Sequence, residues 1–192
     1  MTVRTKGKFH NKSRPKTLEE IAGAVGMTAW KLAQTTTNRM YSDGFNFSSN
    51  EQILNVISEF LAFIIQLTDR LSYDKMSDEQ RQRFVGALAK HLIRTWIENM
   101  QIEVGEGEHQ AAIIDTLNQR MEAYAEFGFS DGEPSYHARR YFGSCVDAVM
   151  GGENNKWVIE QIVDVESPVV IKTLKKNLDD LLAQSELYAQ AG

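Results

Sequence analysis

Residues 53–67, ILNVISEFLAFIIQL, carry a single charge, Glu59, in an otherwise almost wholly apolar run. The polar side chains in and around it, Gln52, Asn55, Glu59, Gln66 and Asp69, fall at helical steps and trace one narrow stripe. A helix that is polar along one stripe must be covered everywhere else, so this segment is expected to form the central helix of its fold. A membrane-crossing helix needs about 18 uninterrupted apolar residues. Glu59 and Gln66 break the run short of that, so no membrane insertion is expected. On this reading the stripe meets solvent, with Glu59 at its edge.

The flanking sequence supplies the helices that would cover it. Thr17 and Glu20 form a capping box, and Leu18, Ile21, Val25, Ala29, Leu32 and Thr36 repeat along one face, predicting helical structure over about 17–41. Asp43-Gly44 breaks that period, and Ser48 and Ser49 can cap the central helix, about 49–73. Ser77 with Gln80 opens a third helix striped by Phe84, Leu88, Leu92, Trp96 and Met100. After Gly105 and Gly107 comes a fourth, through Ile113, Leu117, Met121 and Tyr124. Residues 127–135 read as a turn with Pro134 in the first turn of a fifth helix, whose face is Tyr141, Phe142, Cys145, Val146 and Val149. Residues 156–166 are rich in β-branched side chains and tolerate a strand; with no second strand to pair, a short helix is expected. Ser167-Pro168 reads as the cap and first turn of a final helix through Ile171, Leu174 and Leu178. The expectation is an all-α, single-domain bundle of six or seven helices over 17–192.

Residues 1–16 read as a basic flexible arm: Arg4, Lys6, Lys8, Lys12, Arg14 and Lys16, with no acid. Removing those six from 21 cations leaves 15 against 26 acids, so the body alone sums to −11. Such an arm either seeks an anionic partner or lies solvated beside its own body. Cys145 is the lone cysteine, and no apolar run opens the chain, so the expected location is cytoplasmic.

Catalytic and metal chemistry find little support. A carboxylate-bridged metal bundle needs two Glu-x-x-His pairs; Glu106 to His109 is the only one, with Glu59 as a possible lone carboxylate. His91 borders an apolar face, and His137 lies beside Arg139 and Arg140. Gly143-Ser144-Cys145 lacks the closing glycine of a nucleophile elbow, and Gly105-x-Gly107 is surrounded by Glu103, Glu106 and Glu108, which repel phosphate. No cofactor is implied. The leading expectation is a non-enzymatic, soluble helical protein that works through protein–protein contacts, with a carboxylate/His metal-binding bundle as a further alternative. The first helix has a second weakly apolar face, Gly23, Gly26, Met27, Trp30 and Ala33, which implies either another packing partner in the chain or a homodimer contact.

Residues 17–40, TLEEIAGAVGMTAWKLAQTTTNRM, resemble the helix-turn-helix segment of bacterial DNA-binding regulators. Ala22 matches the small residue at the helix crossing and Gly26 the turn glycine, flanked by Ile21, Val25, Met27 and Leu32. The resemblance implies that Thr28, Ala29, Trp30, Lys31 and Gln34 face the major groove while the basic arm lies along phosphates. The same residues also read as one unbroken amphipathic helix.

Overall fold

The computed structural model describes residues 14–151 and 155–189. Helices α1 (Leu18–Ser42), α2 (Asn50–Ser72), α3 (Asp78–Glu103) and α4 (His109–Ala125) lead into a two-stranded hairpin, β1 (Phe129–Ser130) and β2 (Glu133–Pro134). There follow α5 (Tyr136–Met150), α6 (Val158–Glu160), a π-helical segment (Gln161–Glu166), α7 (Ser167–Leu182) and a last short turn, α8 (Glu186–Ala189). The protein is an all-α bundle around α2, which packs against α1, α3, α4, α5 and α7. Fourteen of the 23 residues of α2 are buried, Phe60 and Ile64 completely, so neighbours enclose it on nearly every side. By length and composition alone α2 could cross a membrane, but most of its apolar surface is buried inside the bundle.

Local chemistry sets the boundaries. The capping boxes form as read, Thr17 with Glu20 and Ser77 with Gln80, and Ser49 accepts the Gln52 N–H at the start of α2. Helix α1 runs unbroken through Gly26, so the turn implied by the helix-turn-helix resemblance is absent. The glycine serves close approach instead: a Cβ there would lie 2.4 Å from Cδ2 of His91, whose ring on α3 packs over that position.

Two other expectations are corrected, and a third is borne out with a difference. Residues 127–135 form a small hairpin in which Asp131 (φ 55°) and Gly132 (φ 73°) make a left-handed turn suited to the strand twist. Pro134 therefore lies in β2, and Ser135 caps α5 by accepting the Ala138 N–H. Residues 156–166 are helical from Val158, as expected, but the helix continues into α7 without a break, following Trp157 in the left-handed region (φ 74°). Ser167 is not a cap. It is fully buried, and its Oγ donates to the Val163 carbonyl. Pro168 has no N–H to continue the ladder, and the widened π turns immediately ahead of it absorb that loss.

Two of the six cations read as an arm are held by the helical body. Arg14 grips both carboxylate oxygens of Glu20, at 2.8 and 2.6 Å. Lys16 donates its N–H to Gln184 O and accepts from Glu186 N–H, each at 2.9 Å, tying the start of α1 to the end of α7. Both residues belong to the body; Arg4, Lys6, Lys8 and Lys12 lie outside the described residues.

The two glycines of α1 predict opposite outcomes. Gly26→Ala must displace the His91 ring and should destabilise by about 1–3 kcal/mol, despite alanine's better helix propensity. Gly23→Ala meets open space and should stabilise by up to about 1 kcal/mol. Urea unfolding of both variants measures the pair; an equal gain for both would contradict the packing of α1 on α3.

Candidate functional site

The polar stripe of α2 turns inward at its middle. Glu59 is 2% exposed, and Arg120 of α4 clamps it with two parallel bonds, Nε to Oε2 at 2.7 Å and Nη2 to Oε1 at 2.8 Å. The expected solvated edge is thus a buried ion pair, because α4 crosses this side of α2 and brings an arginine with it. Gln52 donates to the carbonyls of Val149 and Met150, capping the end of α5, and Asp69 accepts from Arg81 of α3 at 2.5 Å. Three members of the stripe, Gln52, Glu59 and Asp69, thus find partners on neighbouring helices.

Around this pair stand Tyr124, Tyr141 and Cys145. The Arg120 guanidinium lies 6.0 Å from the Tyr141 ring centroid. Its hydrogen bonds to Glu59 raise the Arg120 pKa well above the ordinary arginine value. Burial, reinforced by the Glu59 charge, pushes the Cys145 thiol up to about 11. Burial first, then Cys145 and its neighbours, raises the Tyr124 hydroxyl, which has no hydrogen-bond partner among the described residues. Glu59 has both oxygens occupied, and the thiol and phenol are held protonated. The cluster offers no free base and no nucleophile.

A second lock repeats the logic at the π segment. Glu166, fully buried, accepts from both Nε and Nη2 of Arg39 on α1 and from Gln161 Nε2 at 3.0 Å. Together with the Lys16 pairing, this runs α7 antiparallel along α1.

Metal ligation lacks a geometry among the described residues, where no three His, Cys, Asp or Glu side chains gather about a point. His109 faces the Gly105 carbonyl at 2.6 Å, and Glu106 and Glu108 are exposed.

The open features are on the surface. A cleft of about 530 Å³ between the end of α2, the hairpin and α7 is bordered by Arg70, Lys75 and Lys175. Its lysines are already paired, Lys75 with Asp179 and Lys175 with Glu133 at 2.9 Å. Between α1 and α7 lies a groove of about 490 Å³, lined by Met27, Thr28, Lys31, Leu32, Thr35 and Thr173. Met27 is 69% exposed. Of the face considered for self-association, Gly26 and Ala33 are buried in the fold and Trp30 packs half-buried against the core. Met27 stays exposed and Gly23 borders open space, while Gly26 packs against His91 of α3. Of the residues the helix-turn-helix resemblance assigned to the major groove, Ala29 is buried, Thr28 is half-buried with its Oγ1 donating to Ala24 O, and Lys31 and Gln34 are exposed.

Two outcomes test the interior reading. Glu59→Leu leaves Arg120 without its partner and should cost about 3 kcal/mol, while Glu59→Leu/Arg120→Leu should recover at least half of that. A single-variant loss within about 0.5 kcal/mol of wild type, the range of an ordinary surface substitution, would contradict the burial of the pair. Because the Cys145 thiol titrates at 9.0 in the unfolded chain and near 11 in the fold, the unfolded state loses its proton first as pH rises. Stability from this group should be complete below pH 9 and fall between 9 and 11, and Cys145→Ala should flatten that part of the curve measured by urea unfolding.

Compared with protein-family models, with curated proteins and with solved structures, the chain matches none.

Proposed function

We propose that this protein works by binding another protein through the outer face of α1 and α7. The observation that carries this reading is the open groove between the two helices, where Met27 stands 69% exposed above Leu32 and Thr173. The interior charges are spent on holding the helices together, so they support a scaffold for a surface rather than a reaction centre. Exposed methionine is a frequent contact residue, because its flexible thioether adapts to varied partners. A soluble cytoplasmic protein with one buried thiol suits this reading.

Self-association was the other form of this expectation. Of the face that suggested it, Gly26 packs against His91 of α3 and Ala33 is buried, and the groove beside it carries Lys31 at its wall. A two-fold contact through the groove sets that lysine near its own copy.

Photo-crosslinking in cells of origin tests the reading. Benzoylphenylalanine replaces Met27 or Thr35 in the groove and, as controls, the exposed Ile102 or Glu98 on α3. Discrete protein adducts are expected from the groove positions and not from the controls. Adducts from neither, or equally from all four, would overturn it. Met27→Asp, at an exposed site, should leave stability within about 0.5 kcal/mol of wild type while removing the adducts formed from Thr35.

A further inference from the structure

The charge around the groove is opposite to that of the molecule. Residues 17–192 hold 15 bases and 26 acids, yet α1 has no acid from Ile21 to Ser42 and α7 none from Ser167 to Leu178. The two helices run antiparallel, since Lys16 meets Gln184 and Glu186 at one end and Arg39 meets Glu166 at the other. That pairing sets the acid-free stretches side by side. Lys31 lines the groove from α1. On α7, Lys176 lies three residues after Thr173 on the same flank, and Lys172 stands beside it on the outer surface. All three are exposed, and none forms an ion pair among the described residues. Val169, 38% exposed, lies one turn before Thr173 on the same flank of α7 and adds apolar surface beside the groove.

We infer that the groove receives an amphipathic helix of a partner protein, apolar where it meets Met27, Leu32 and Val169 and acidic where it meets Lys31, Lys172 and Lys176. The inference rests on the protein-contact reading above and specifies the partner's chemistry. Two packed helices offer the furrow into which a third helix lays its ridge of side chains. The apolar floor provides desolvated area, and the lysine rim steers acidic flanks while rejecting basic ones. A second copy docking by the same face brings lysines against lysines in an isologous contact, so it is disfavoured. The chain's own residues 1–16 carry only basic charge and have the wrong sign for this rim. Nucleic acid would use the lysines but gains nothing from Met27 and Leu32.

Synthetic helical peptides of about 18 residues test it directly, read by fluorescence anisotropy against the full-length protein. One has an apolar stripe flanked by Glu and Asp, a second has the same stripe flanked by Lys and Arg, and a third scrambles the acidic peptide. Binding is expected from the first, at least about tenfold weaker from the second, and weakest from the scramble; raising salt from about 50 to 200 mM should weaken the first. Met27→Asp should abolish binding with the melting transition unchanged. Lys31→Glu/Lys176→Glu should invert the preference toward the basic peptide. Equal binding of the first two peptides, no binding of either, or loss of preference for the acidic peptide over its scramble would overturn the inference. So would a Met27-dependent dimer in sedimentation velocity, or duplex DNA binding that survives Met27→Asp. Groove-specific crosslinks in cells without any preference for acidic peptides would overturn the partner chemistry and leave the protein-contact reading standing. Absence of both would remove the two together.

Discussion

A carboxylate buried against apolar helices must be paired, because an isolated charge in that environment costs several kcal/mol. Glu59 imposes this condition on the whole bundle. It sits at the middle of α2 and is reached from α4 by Arg120, whose planar fork matches both carboxylate oxygens. The pair therefore fixes where α4 crosses α2. With α4 so placed, Tyr124 and Tyr141 close edge-to-face at 5.2 Å, and Phe142 of α5 stacks on Phe63 at 4.5 Å while meeting Phe60 edge-on at 4.9 Å. One arginine and an aromatic cluster thus orient three helices about the core.

The α1–α7 pair uses the same device. Glu166 enters the interior from the π segment and draws Arg39 of α1 over it. The π turns bring this carboxylate inward just before Pro168, and the Lys16 strap closes the far end of the α1–α7 pair. Asn155 holds the loop before α6 by exchanging two hydrogen bonds with the backbone of Asn46, at 2.8 and 2.9 Å. That clamp, with buried Val158, keeps Trp157 in its left-handed conformation and 73% exposed. The buried carboxylates Glu59 and Glu166 are thereby committed to architecture. What stays uncommitted is the outer ridge of α1 and α7, which is acid-free over residues 21–42 and 167–178, partly apolar and open.

The all-α class, the central position of residues 53–67 and the capping boxes were legible because they depend on local spacing: Thr17 reaches Glu20, and Ser77 reaches Gln80, within one turn. The polar stripe on α2 was legible as a stripe, but its surroundings were not. Arg120 lies 61 residues from Glu59, and no local pattern says which distant arginine will cover a carboxylate. The same holds for Arg39 and Glu166, 127 residues apart. Gly26 shows the converse difficulty: a turn glycine and a close-packing glycine are identical in sequence, and only the His91 ring of α3 distinguishes them. The Ser167-Pro168 pair has every mark of a helix start, yet the chain reaches it already helical. The groove was half visible, since Met27 and Lys31 were singled out, but its other wall required knowing that α7 lies antiparallel to α1.

Native-state hydrogen exchange of the full chain tests the enclosure of α2 most directly. If α2 is surrounded and its buried carboxylate, Glu59, is locked by Arg120, amides from Val56 to Thr68 should exchange only through global unfolding, with the slowest rates in the protein. Protection there should equal the unfolding free energy from urea titration and fall together with it in Glu59→Leu. Exchange of these amides through smaller local openings, at rates like those of the hairpin at 129–134, would contradict a fold built around a buried and paired α2.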